Sequence, residues 1–303
     1  MKYIVIFNKK DCLSSILLTN ILQENLSINN IDHEIILGLF SSKLCDSIFY
    51  RPSSVKDKFN LNSIKDVWSF LKTIYSTKSK KTIINLSSKI YIRFFLILSN
   101  RNTLRITIVP AVKSIQQDAG KILNIISKRN GLKFNHFNLQ PREYISEKNI
   151  QKSTEYINWI LTSSGLKKIE QTRYLYVLLD SNKLQGRTNI LQILSTFLNS
   201  IANCIVIFSF YNFNRISVDD FINEINDYLD GKALTNQFVK CDENIKISLV
   251  RQSKILITDS EQYHYFSVKN DKASYLLRQM NNDADEKSET LKLKHSLLHI
   301  ELK

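Results

Sequence analysis

The stretch "SKILITDSEQYHYFSV" (residues 253–268) runs a short apolar segment into Asp259 and Ser260, with His264 four residues after the serine. "KILITD" (254–259) has the β-branched density of a strand. Asp259 and Ser260 are helix-start residues, and the following pattern continues as a helix to about Lys269. A strand that feeds directly into a helix is half of a βαβ unit. Ligands of open parallel sheets bind beyond the carboxyl ends of the strands. A helix start there offers unpaired backbone N–H groups and partial positive charge, which suit a phosphate. Two readings stay open for these residues. Asp259 or Ser260 simply caps the helix while His264 faces solvent, or the three converge on an anion.

The same alternation extends in both directions. Strands are expected at 2–7, 33–40, 81–87 and 104–109, and helices at 13–26, 63–76 and 89–100. Residues 110–170 are more polar and less regular, with one helix ending near "SSG". Strands at 172–180, 203–211 and 254–259 follow, with helices at 189–201, 217–230 and 243–253. The tail from about 281 reads as a polar loop plus a terminal element. The fold class is therefore α/β, with two Rossmann-like domains facing a cleft, divided as 1–155 and 156–303. Trp68 and Trp159 fall on apolar helical stripes and are expected in the core. The aromatic run 208–215 either covers a sheet edge or stacks on a ring of a ligand.

Composition narrows the function classes. The chain has 303 residues, 43% of them hydrophobic, enough for real cores. Only 6 glycines are present, and no glycine-rich phosphate loop or nucleophile elbow occurs. The net charge of +14 points to an anionic partner. The basic residues are spread along the chain, and no nucleic-acid motif accompanies them, so nucleic acid is the least favoured partner. Cys12, Cys45, Cys204 and Cys241 form no paired motif and read as small apolar residues of a reducing, cytoplasmic compartment. The histidines have no metal-binding spacing, and no metal site is expected. No apolar run reaches the ~20 residues of a membrane span.

"LITDSEQYH" resembles the donor-site motif of the family-9 glycosyltransferases, the ADP-heptose:lipopolysaccharide heptosyltransferases, in which a strand runs into Asp-Ser-Gly-Pro-Met-His. Asp259, Ser260 and His264 keep that spacing. "MKYIVIFNKKDCLSSILLTNIL" is similar to the family's opening strand, turn and "ILLT" helix, and the order of elements matches over roughly 1–270. The resemblance implies GT-B architecture, with an N-terminal acceptor-side domain and a C-terminal donor-side domain. It implies metal-independent transfer of a sugar from a nucleotide-sugar such as ADP-heptose, bound as substrate with no cofactor. The acceptor would be a lipopolysaccharide-type glycolipid or oligosaccharide, met at the inner face of an anionic membrane.

The departures are specific. The family's base stands in a Gly-Asp pair, whose place is taken here by Ser14–Ser15. An un-ionised serine is a poor base at neutral pH. Asp11, earlier in the same turn, is the substitute candidate. Glu261 replaces the motif's glycine and adds bulk and negative charge beside the expected phosphate. The family's phosphate-holding basic residue maps onto the loop "LLDSNKLQGRTN", where Lys183 and Arg187 are available. A guanidinium grips a diphosphate bidentately, which favours Arg187. The alternative to an enzyme is a catalytically degenerate GT-B protein that binds a glycan or a partner.

Overall fold

The computed structural model describes residues 1–9, 11–40, 48–75, 80–89, 92–93, 96, 103–141, 147–163, 174–180, 194, 205–211, 219–221, 223–225, 235–239, 243–269 and 273–277. Two five-stranded sheets carry the chain. The first contains β1 (Lys2–Ile6), β2 (Glu34–Leu39), β3 (Val55–Asn60), β4 (Lys81–Asn85) and β5 (Thr103–Thr107) in the order β3-β2-β1-β4-β5. The second contains β6 (Tyr174–Asp180), β7 (Ile205–Tyr211), β8 (Thr235–Val239), β9 (Ile255–Thr258) and β10 (Ala273–Leu276) in the order β10-β9-β6-β7-β8. Every pairing is parallel. In each sheet the first strand is central, the next two lie on one side and the last two on the other. The chain therefore repeats one Rossmann-like topology, with a switch point between β1 and β4 and another between β6 and β9.

Both faces of the first sheet are covered, as parallel sheets require. Tyr3 and Val5 of β1, with Phe7 just beyond it, enter one apolar cluster, while Ile4 and Ile6 enter another. Among the described residues the helices are α1 (Cys12–Ile28), α2 (Ile64–Tyr75), α3 (Ile115–Asn130), α4 (Glu147–Ser163), α5 (Glu243–Gln252) and α6 (Glu261–Lys269). Helix α1 is buried on every side from Leu13 to Leu26. Several of its polar side chains pair with neighbouring backbone, which offsets their desolvation. Asn20 donates to Ile48 O (3.1 Å) and accepts from Tyr50 N–H (2.9 Å), and Asn25 makes the same double contact with Asn138 (2.6 and 2.9 Å). Helix α3 stops at Gly131, whose φ of 66° is the left-handed turn that glycine adopts freely.

The two sheets share core. The cluster that holds Val5 and Leu17 also holds Tyr176, Leu256, Tyr263 and Phe266. Helix α6 contacts α1 and the turn at Val112–Ser114. Helix α4 runs uninterrupted through residue 155 and packs on α5. Ser153 and Ser248 share a hydrogen bond of 2.8 Å, and Thr154 donates to Gln252 (3.0 Å).

Several expectations need correction. Trp68 and Trp159 lie outside the core, 64% and 66% exposed. On α2 the buried positions are Phe70 and Ile74, and Trp68 projects from a different face. The region 110–170 is more regular than its polarity suggests, since α3 buries Ile115, Ala119, Ile122, Leu123 and Ile126 along one stripe. Strands β3, β8 and β10 were not expected. Phe208 and Phe210 pack edge-on against Phe221 within the core. Cys12 is half-buried, and the other three cysteines, the glycine of "SSG" (Gly165) and the tail from 281 lie outside the described residues. The helices expected at 89–100, 189–201 and 217–230 lie largely outside them as well.

Candidate functional site

The second switch point is built from the carboxyl ends of β6 and β9. Asp180 closes β6 and Asp259 follows β9. The two strands are in register up to Leu178 and Thr258, so these residues emerge side by side. The Asp180 N–H donates to Asp259 Oδ1 at 3.1 Å, tying the central strands together at their rim. Asp180 is buried and Asp259 half-buried. Thr258 Oγ1 accepts from Ser260 N–H (3.1 Å), which turns the chain into α6, and His264 N–H donates to Ser260 O (3.1 Å) as the helix closes its first turn. Asp259 and Ser260 thus stand together where the ligand of an open sheet is expected.

His264 is placed differently from the other two. Its Nδ1 lies 3.0 Å from Ser274 Oγ on β10. Ser274 is in register with Leu256, two positions back from the end of β9, so this contact lies below the rim. The other face of α6 is apolar, with Tyr263 and Phe266 in the shared core. The side chain of Glu261 lies outside the described residues, as do Lys183 and Arg187.

The first switch point is closed on itself. Asp11 is the N-cap of α1, and one carboxylate oxygen accepts from Ser14 N–H at 2.8 Å. Ser15 Oγ donates to Asp11 O (2.9 Å) and accepts from Asn8 N–H (3.0 Å). Asn8, Asp11, Ser14 and Ser15 are all buried. The Ser15 hydroxyl therefore holds the turn together from both sides. Ser14 Oγ has no partner. At the end of β4, Asn85 Oδ1 accepts from Ser87 N–H (3.1 Å), while its wholly buried Nδ2 meets no acceptor.

Asp180 and Asn85 were not singled out from sequence. The available signal was a polar residue at the last position of an apolar strand, which becomes informative once that strand is known to flank a switch point. Among the described residues no group of three or more histidine, cysteine or acidic residues could hold a metal, and no helix is long and apolar enough to cross a membrane.

Two Rossmann-like domains of one repeated topology define the GT-B type of α/β fold. No model of a known protein family matches the chain, and no curated protein matches it in sequence. Its similarity is to solved structures. Escherichia coli ADP-heptose lps heptosyltransferase II aligns over 99% of this chain and 100% of its own, with TM-score 0.56 and 10% identity. A family 9 glycosyl transferase from Veillonella parvula aligns over 96% and 89%, with TM-score 0.56 and 13% identity. Escherichia coli heptosyltransferase WaaC with ADP aligns over 90% and 86%, with TM-score 0.52 and 9% identity. At such identities the common property is the fold.

Proposed function

We propose that this chain is a GT-B glycosyltransferase that moves a sugar from a nucleotide-sugar to a glycan or glycolipid acceptor. The observation that carries this reading is the second switch point, where Asp180, Asp259 and Ser260 meet the start of α6 at the ligand rim. The donor diphosphate sits at that helix start, where backbone N–H groups and the helix dipole favour an anion. Lys183 and Arg187 follow Asp180 closely in the chain and supply the counter-charge. In the reaction an acceptor hydroxyl oxygen attacks the anomeric carbon, the bond from that carbon to the diphosphate breaks, the nucleoside diphosphate leaves with the electron pair, and the hydroxyl proton passes to solvent. Positive side chains and the helix start stabilise the leaving group without a metal. The acceptor is a lipid-linked glycan at the inner leaflet, and ADP-heptose is the first donor to try.

The acceptor proton is the weak point of this chemistry. Ser15 is already committed as both donor and acceptor within its turn, and Asp11 caps α1. That arrangement favours a second reading, a GT-B protein that keeps the donor site and has lost transfer. Calorimetry with ADP, UDP and ADP-heptose tests the shared part. Nucleotide binding weakened about tenfold by Arg187→Ala is the expected result for a single lost charge-assisted contact. No binding across the panel overturns both readings. Binding with no release of nucleoside diphosphate in the presence of glycolipid acceptors selects the second.

A further inference from the structure

Helix α2 turns apolar side chains outward. Ile64 is 80% exposed and Trp68 64%, and their i,i+4 spacing places them on one face. Half-buried Leu71 and Tyr75 continue the stripe. It borders an apolar cavity of about 30 Å³ whose lining includes Leu61, Val67 and Leu71 together with Ile6, Ile92 and Leu96. Lys65 and Lys72 are exposed on α2, and Arg93 is exposed next in the chain to Ile92 of the cavity lining. The acid of α2, Asp66, is directed away toward β3, where it accepts from Asn60 N–H (3.1 Å).

We propose that this face of α2 docks on an anionic lipid surface, with Trp68 and Ile64 inserted at the interface and Lys65, Lys72 and Arg93 at the headgroups. A tryptophan and an isoleucine beside a basic flank are the chemistry of an interfacial helix. The chain's charge of +14 favours an anionic surface over a neutral one. Each basic side chain near such a surface is worth roughly a fivefold gain in partition. The inference deepens the proposed function, and rests on it only for the expectation of a lipid-linked acceptor.

The chain has two tryptophans, so Trp159→Phe leaves Trp68 as the sole reporter. The expected result is a blue shift of its emission on vesicles containing phosphatidylglycerol, quenching by brominated acyl chains, and little change on pure phosphatidylcholine. In the parent background, Ile64→Glu with Trp68→Glu lowers partition by roughly tenfold or more, and Lys65→Glu with Lys72→Glu removes the preference for phosphatidylglycerol. Matched circular dichroism and unfolding curves keep these variants interpretable. Unchanged Trp68 emission, or undiminished partition of the double glutamate variant, overturns the proposal. Dissociation of a dimer by Trp68→Glu, with no response to vesicles, also overturns it and assigns the face to self-association. ADP affinity measured on the same variants separates the two ideas. Lost partition with retained ADP binding isolates the membrane face, whereas a parent that binds vesicles and no nucleotide leaves this inference standing and removes the donor site.

Discussion

In the first sheet the acid that precedes a rim helix, Asp11, turns back onto its own helix and caps it through Ser14. In the second, Asp259 reaches sideways and holds the amide of Asp180 on the neighbouring strand, while a hydroxyl from Thr258 fixes the helix entry. One topology has thus produced two different turns. The difference lies in which backbone amide each acid meets. The start of α1 is enclosed, so every backbone amide there needs a partner from within the turn. Asp259 is only half-buried, and its turn is organised across the switch point instead. The first rim closes within its own turn, and the second is tied across two neighbouring strands.

The sharpest way to break that contrast is Asp259→Ala. It leaves the buried Asp180 amide without its acceptor, at a cost of about 1–3 kcal/mol, and the proposed function adds a loss of ADP affinity. Asp259→Asn keeps an oxygen at the same place and is expected to recover most of the stability. Urea unfolding and calorimetry on the pair read both effects. Next in size is Asp11→Ala, which removes a helix N-cap and costs about 1–2 kcal/mol, read as a lower urea midpoint. Asparagine is as good a cap, so Asp11→Asn stays within about 0.5 kcal/mol of the parent. If the first rim is structural only, both Asp11 variants leave ADP affinity within twofold, an estimate that treats the two rims as independent distant sites. Asp11→Ala weakening ADP as much as Asp259→Ala would dissolve the distinction. Thr258→Val is smaller again. It preserves shape but removes the oxygen that accepts from Ser260, for a loss of about 1 kcal/mol. The same change at Thr73, the half-buried threonine of α2, should not move the second rim.

Sequence reading reached the central strands because their apolar runs record burial on both faces. β6 is buried at all its positions, and its β-branched and aromatic run stood out. Of the edge strands, β5 was read while β3, β8 and β10 escaped, and in β3 and β10 no buried residue marks the strand. β3 reads "VKDKFN", with Lys56, Asp57 and Lys58 exposed, and such charges protect an edge from mispairing. Of the candidate site, the linear part was legible. Asp259 and Ser260 are adjacent in sequence and in space, and Asp11 and Ser15 share a turn. What could not be read was partnership across elements. Asp180 lies 79 residues from Asp259 in the chain, and Ser274 lies on a strand too short to recognise. Trp68 was misplaced for a related reason. Hydrophobicity alone does not say which part of a wide apolar arc faces the sheet, and on α2 Phe70 and Ile74 occupy that position.

The smallest expected effect tests the idea that the first half satisfies its buried polar groups locally. His33, at the opposite end of that sheet from Asp11, is the titratable exception, beside the unpartnered Ser14 Oγ and Asn85 Nδ2. It is buried, its Nδ1–H donates to Ile31 O at 2.8 Å, and its Nε2 has no partner. Protonation would place a second N–H where nothing accepts it. Burial therefore holds the His33 pKa below the ordinary histidine value, against the opposing pull of the Ile31 carbonyl. Below that ordinary value, about 6.5, the unfolded chain takes up a proton that the folded chain resists. The stabilising contribution is complete above the ordinary value and is lost as pH falls through it toward the lowered folded value. His33→Asn retains a donor for Ile31 O and does not titrate in this range. Its thermal midpoint should fall less between neutral and mildly acidic pH than that of the parent. The carboxylates are common to both proteins, so the difference between the two curves belongs to His33. Parallel curves would mean that solvent reaches Nε2, and that the first half is more open than its buried turn at Asp11 indicates.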